Sequence, residues 1–380
     1  MTKHAILSAS KAYQWLACTP SIRASENIPD TTSEYALEGT KAHALGELNL
    51  RLFLGQITQE EYAKEVADLD ADETMKDYAN QYSDFIIEKF NKAKKKTKDA
   101  ILEIEVKVDF SQWVPEGFGT ADAIIIADDC MEIIDLKYGK GVPVSAVNNP
   151  QLMLYALGAL EEYLMLYDIL QVSMTIYQPR LDNISTELIA VEDLVKWAYE
   201  YVKPLAEKAF KGKGKFVSGK HCRFCKLKYT CRERANENLK LAQYDFKEPS
   251  ILSNDEIADI LKKSEDLVSW QNDIKEYALN EALKGIKFEG FKLVEGKSNR
   301  KYKDEDEVAL ALKELGYNDS DIYKKSLLTI TAMEKLLGKQ KFNDLIGKYI
   351  IKPSGKPALV PESDKRPELN TITQAIEDFK

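Results

Sequence analysis

Polar and apolar positions change period several times along the chain. Apolar residues recur at helical spacing from Ser8 to Ala17, from Glu34 to Leu54 and from Glu73 to Lys95, the last with Tyr78, Tyr82, Phe85 and Phe90 in step. Lys94-Lys95-Lys96 supplies the cations that favour a helix C-terminus. The period then falls to two. Glu103-Ile104-Glu105-Val106-Lys107-Val108 alternates strictly, which predicts a half-buried strand. Thr120–Ala127 and Met131–Tyr138 are rich in β-branched residues and join through Asp128-Asp129, the pattern of a hairpin. Pro150 suits the first turn of a helix over Gln151–Leu164. A strand over Val172–Tyr177 and a helix over Glu192–Phe210 follow.

This order predicts one α/β domain over residues 1–240. Asn254–Leu283 reads as a long amphipathic helix, so residues 241–285 form a connecting segment. Residues 286–380 then make a small, mainly helical α+β domain. It has a strand near Phe288–Leu293, helices near Glu305–Leu315 and Ile330–Leu345, and an extended tail carrying Pro353, Pro357, Pro361 and Pro367. No internal repeat or low-complexity tract interrupts the chain.

Composition narrows the function classes. Of 380 residues, 53 are Lys or Arg against 62 Asp or Glu, a formal net charge of −9. That excludes a uniformly basic nucleic-acid coat but allows a local basic groove. The longest apolar run, Leu152–Leu170, is broken by Glu161 and Glu162, and Met1-Thr2-Lys3-His4 opens no signal-like stretch. A soluble cytoplasmic protein is expected. Three of the five cysteines, Cys222, Cys225 and Cys231, crowd together, which in a reducing compartment points to metal or redox chemistry.

The densest chemistry lies in Gly119-Thr120-Ala121-Asp122 and Ile133-Ile134-Asp135-Leu136-Lys137. Residues two apart on a strand share a face, so Asp135 and Lys137 project together while Leu136 packs behind. Asp122, on the neighbouring strand, can approach Asp135. Two carboxylates in apolar surroundings repel unless a cation neutralises them, and Mg²⁺ or Mn²⁺ prefers such oxygen ligands. Lys137 is placed to orient a water or stabilise charge on phosphate oxygens. Gln151 and Tyr155, four apart, share a helix face and can hydrogen-bond a phosphate or brace Lys137, and His43, four before Glu47, can add a nitrogen ligand.

Gly-Thr-Lys-Ala-His, Gly-Thr-Ala-Asp, Asp-Leu-Lys and Gln-X-X-X-Tyr, in this order, resemble the RecB-type branch of the PD-(D/E)XK nucleases. The resemblance implies a restriction-endonuclease-like fold, a mixed central sheet flanked by helices. It makes His43, Asp122 and Asp135 metal ligands together with the Leu136 carbonyl, Lys137 the catalytic lysine, and Gln151 and Tyr155 the helix motif. Asp135 stands where many members carry Glu. Cys18 upstream with Cys222, Cys225 and Cys231 downstream is similar to the iron–sulphur nucleases of this superfamily, among them the AddB nuclease domain and CRISPR-associated RecB-like exonucleases. That implies a structural [4Fe–4S] cluster. The competing reading of these cysteines is zinc, with Cys18 or His221 as fourth ligand. Cys130, in the hairpin, reads as a plain thiol.

Between Lys203 and Arg234 the chain is markedly basic, with Phe216, Phe224 and Tyr229 interleaved, and Lys211, Lys213, Lys215, Lys220 and Arg223 are candidate phosphate contacts. Nearly the whole chain resembles an uncharacterised phage and prophage family (domain of unknown function 2800), often found beside recombination functions. The combined expectation is a metal-dependent DNA nuclease, an exonuclease by analogy, serving phage recombination or DNA processing in a bacterial host with a single-strand annealing protein as a possible partner. The alternative is a DNA- or partner-binding protein on an inactive nuclease fold with a zinc staple.

Overall fold

The computed structural model describes residues 5–29, 34–241, 252–294, 303–324 and 327–351. A single 3₁₀ turn, Ala9–Lys11, leads into α1 (Ala12–Ala17) and the one-turn α2 (Ser21–Ala24). Three helices follow: α3 (Glu34–Phe53), α4 (Gln59–Asp68) and α5 (Glu73–Lys96). Strand periodicity gives no sign of α4, but its start is written in the sequence as a capping box between Thr58 and Glu61.

Five strands form one mixed sheet in the order β1-β2-β3-β4-β5: β1 Ile101–Asp109, β2 Phe118–Ile126, β3 Asp129–Leu136, β4 Ile169–Gln178 and β5 Asn183–Ala190. Only the β3–β4 pair is parallel. Its crossover is α6 (Pro150–Tyr163), begun by Pro150 and capped by the Asn149 side chain, which accepts from the Gln151 and Leu152 amides. The strand β5 is an addition to the expected order. As an edge strand it leaves Ile184 and Leu188 exposed, so its pattern does not announce a buried face.

Alternation splits the core in two. Ile124, Ile126, Ile133, Val172, Met174 and Ile176 pack on one face beneath α6 and Trp15 of α1. Ala123, Ile125, Ile134 and Leu136 pack on the other against Ala42 and Leu45 of α3 and Tyr82, Ile86 and Phe90 of α5. Ile124, Ile125, Ile133 and Ile134 are all fully buried, each worth about 1.5–3 kcal/mol of transfer free energy. The result is the expected α/β architecture, a mixed sheet flanked by helices.

The stretch read as one helix over Glu192–Phe210 consists of α7 (Val191–Trp197), a π-helical turn (Ala198–Val202) and α8 (Lys203–Phe210). Pro204 has no N–H to offer the preceding turn, and the wider turn absorbs the break. A 3₁₀ turn (Lys220–Phe224) and α9 (Arg232–Leu239) follow, then α10 over Asn254–Leu283, as its periodicity predicts.

The chain divides into two compact units, Met1–Asn280 and Glu281–Lys380. In the second, the expected strand over Phe288–Leu293 is absent: Gly290, at φ 79°, turns the chain there. The described residues of this unit are helical, with α11 (Glu305–Glu314), α12 (Asp319–Ile322), α13 (Ile330–Leu337) and α14 (Lys339–Ile346). Gly338, at φ 77°, splits the expected helix over Ile330–Leu345 into α13 and α14. The proline-bearing tail from residue 353 lies outside the described residues. Among the described residues no helix is long and apolar enough to cross a membrane.

Candidate metal centre

The site forms at the middle of β2 and the end of β3. Pairs Ala123–Ile134 and Ile124–Ile133 set the register of the two strands. Just past the ladder, Asp122 Oδ2 accepts the Leu136 amide at 2.7 Å. Asp135 is 2% exposed, and Lys137 shares its face as the period of two requires, with Nζ 2.7 Å from Asp135 Oδ2.

The first turn of α6 then supplies Gln151. Its Nε2 donates to Asp135 Oδ1 at 2.9 Å and to the Tyr155 hydroxyl at 3.2 Å, while its Oε1 accepts from Lys137 Nζ at 3.3 Å. One amide therefore orients the acid and the amine together. From the opposite face of the sheet, α3 brings His43 Nδ1 to 3.3 Å from Asp122 Oδ1. Glu47, one turn on, is instead paired with Arg51 at 2.6 Å.

The charges are strongly coupled. Burial opposes protonation of His43, but Asp122, and Asp135 more weakly, push its pKa up to about 9. Burial likewise disfavours the Asp122 carboxylate, yet His43, Lys137 and the Leu136 amide hold its pKa below the ordinary carboxylate value. Asp135 moves the other way: burial raises it, Lys137 only partly offsets that, and repulsion from Asp122 adds to it. The Lys137 amine, despite its own burial, is held above its ordinary value by Asp135 and Asp122.

A third carboxylate that periodicity does not single out completes the group. Between the β1–β2 pairs Ile104–Ala123 and Val106–Ala121 stand Glu105 and Asp122, opposite one another and outside the ladder. Glu105 has φ 49°, a left-handed conformation that a long side chain rarely adopts. His43, Glu105 and Asp122 bring one ligand atom each within 4.8 Å of one another. Three carboxylates face one ammonium and one imidazole, and Asp135 Oδ2 is buried without a well-directed hydrogen bond, Lys137 notwithstanding. This donor set fits a hard divalent cation.

Four of the five cysteines gather where α1 meets residues 217–231. The Val217 amide donates to Cys18 Sγ at 3.4 Å, and Gln14 Nε2 donates to Cys225 Sγ at 3.5 Å. Burial pushes the Cys225 thiol up to about 11, with Cys222, Cys18 and Cys231 adding to the rise, so all four lie within electrostatic reach of one another. Hydrogen bonds to Cys18 and Cys222 push His221 up to about 10, and its Nε2 lies 2.9 Å from the Val217 carbonyl oxygen. Burial disfavours the Cys222 thiolate, but His221 brings its pKa below the ordinary thiol value. Cys130 stands apart on β3, its thiol pushed up by burial and by Glu132.

In the basic segment Lys211, Lys213, Lys215, Lys220 and Arg223 are exposed, as is Phe224. Two other members of that run turn inward: Lys228 Nζ and Arg234 Nη1 bind Asp273 of α10 at 2.7 and 2.6 Å.

Fold and site together define a mixed-sheet α/β protein with a half-buried acid–lysine cluster that could hold a metal. Residues 4–367 match the family described as "Protein of unknown function (DUF2800)", and the chain belongs to that family. It is also similar to a solved structure described as "Crystal structure of SSO0001", at 15% identity over 61% of this chain and 88% of the other. With a TM-score of 0.26, that likeness carries no weight for function.

Proposed function

We propose that this protein is a metal-dependent DNA nuclease that hydrolyses phosphodiester bonds, acting as an exonuclease in phage recombination or DNA processing within the bacterial cytoplasm. The observation that carries this reading is the joining of Asp135, Lys137 and Gln151 into one hydrogen-bonded group on the central strands, with Asp122 held beside it by the Leu136 amide. His43, Asp122 and Asp135 would hold Mg²⁺ or Mn²⁺, with the Leu136 carbonyl as a further ligand. The bound ion supplies Lewis acidity and offsets phosphate charge.

The chain's own residues do the rest. Lys137, protonated and fixed by Asp135 and Gln151, donates to the attacking water or to a non-bridging phosphate oxygen, where negative charge develops. Gln151 keeps that ammonium from swinging away, and Tyr155 braces Gln151 from one helical turn further on. The exposed cations from Lys211 to Arg223 would contact the DNA backbone, with Phe224 free to stack on a base. Cys18, Cys222, Cys225 and Cys231 would hold a structural [4Fe–4S] cluster. His221, already turned to the Val217 carbonyl, serves these thiols as a hydrogen-bond partner, which disfavours its use as a zinc ligand.

The test is a cleavage assay with Mg²⁺ and with Mn²⁺ on end-labelled linear, circular and single-stranded DNA. Cleavage by the wild type that Asp135→Ala and Lys137→Ala both abolish supports the reading. Absence of metal-dependent cleavage, or full activity in both variants, overturns it and leaves a binding role on this fold.

A further inference from the structure

Glu105 and Tyr82 are not explained by the site as proposed. Strict alternation along β1 would make Glu105 an ordinary polar-face residue. The chain instead turns it to φ 49° opposite Asp122, and its carboxyl comes within 4.8 Å of the ligand atoms of His43 and Asp122. A left-handed glutamate inside a strand costs about 1–3 kcal/mol and persists only where its surroundings fix it. Burial, then repulsion from Asp122, push its pKa up to about 7. His43 and Arg51 offset that rise only in part.

Tyr82 supplies an independent observation. It lies on α5, 2% exposed, and its hydroxyl is buried with no hydrogen-bond partner. The charges that hydroxyl feels are those of Asp122, Asp135 and Glu105. Its ring is admitted by Gly46, one turn after His43 on α3, where an added Cβ would come within 2.9 Å of the ring. Leaving such a hydroxyl unsatisfied costs about 1–3 kcal/mol, so its partner is something the carboxylates bring in.

We infer that Glu105 is a further metal ligand of this centre, forming with His43 and Asp122 a divalent-cation subsite in which the Tyr82 hydroxyl hydrogen-bonds the ion's water. The inference rests on the divalent-metal reading above and adds two residues to it. A cation at this position neutralises the Glu105–Asp122 repulsion, and water entering with the ion satisfies Tyr82.

The experiment reads Mn²⁺ binding to the full-length protein directly, by electron paramagnetic resonance of free Mn²⁺ and by the Mn²⁺-induced rise in Tm, without reference to cleavage. Glu105→Gln, close in size, should weaken Mn²⁺ binding tenfold or more while the metal-free protein still unfolds cooperatively. Tyr82→Phe should raise the metal-free Tm, because the orphan hydroxyl is gone, and shrink the Mn²⁺-induced rise. Wild-type-like Mn²⁺ affinity in Glu105→Gln, with binding lost in Asp122→Asn, overturns the inference and leaves the metal site standing. No Mn²⁺ binding to the wild type overturns both.

Discussion

The ring of Tyr155 occupies the space a side chain at Gly119 would need: a Cβ there would lie 2.6 Å from Tyr155 Cε1. Gly119 opens the Gly-Thr-Ala-Asp segment on β2, and Tyr155 closes the Gln-X-X-X-Tyr segment on α6. The two motifs are thus mechanically one. Gly119→Ala must displace the ring or the strand, an overpacking cost of about 1–3 kcal/mol. We expect a lower urea midpoint with unchanged m, and reduced cleavage in the still-folded protein because Tyr155 no longer braces Gln151.

Gln151 touches Asp135, Lys137 and Tyr155 but is no metal ligand. Gln151→Ala should therefore lower the cleavage rate by about 10–100-fold with Mn²⁺ affinity little changed, whereas Lys137→Met should cost about 10²–10³-fold. Single-turnover rates measured beside Mn²⁺ titrations separate the two effects. Loss of Mn²⁺ binding in Gln151→Ala would contradict the positioning role.

For the thiol group, anaerobic purification should yield a coloured protein with iron and acid-labile sulfide in near-equal amounts. Cys18→Ala should lose both and unfold at lower temperature, because Cys18 ties the N-terminal helices to residues 217–231. Colourless wild type with stoichiometric zinc would refute the cluster assignment.

Asp273 gives a pH prediction with a definite sign. Burial would raise its pKa, but Lys228 and Arg234 hold it below the ordinary 3.8. A depressed carboxylate contributes stability that is present above the unfolded-state value and lost as pH falls through the folded one. The docking of α10 on α9 should accordingly loosen below about pH 4. Hydrogen exchange over residues 266–280 should speed up there, while Asp273→Asn should show faster exchange already at neutral pH. The loss should be about 1–3 kcal/mol, since the pair keeps some contact with solvent.

How much of this was legible beforehand follows from what each signal encodes. Period-two and period-3.6 patterns report burial on one face, so α3, α5, β1–β4, α6 and α10 could be read. The Asp135–Lys137 pairing followed because side-chain direction on a strand is fixed by parity alone. Glu105 could not be read, because a single left-handed residue reverses parity locally without altering the residue pattern. Tyr82 reads as one more apolar position in α5, although its hydroxyl is what faces the acids. The strand β5 escapes the pattern because its exposed positions carry Ile184 and Leu188 while its partly buried ones carry Ser185 and Glu187, and the expected strand at Phe288–Leu293 fails because Gly290 turns the chain. Lys228 and Arg234 looked like members of a basic surface until their shared partner, Asp273, came from some 40 residues away.

The N-terminal segment is held by partners about two hundred positions away: Thr19 Oγ1 donates to the Lys213 carbonyl, Arg23 Nε to the Phe210 carbonyl, and Lys226 Nζ to that of Ile28. During synthesis, therefore, Leu7 and Trp15 can pack once α6 and β4 exist, but the polar ties of Thr19, Arg23 and Ile28 must wait until residues 210–226 have been made. At about 5–20 residues per second that is a wait of roughly 10–40 s, a slow closure imposed by topology rather than by any weak local preference.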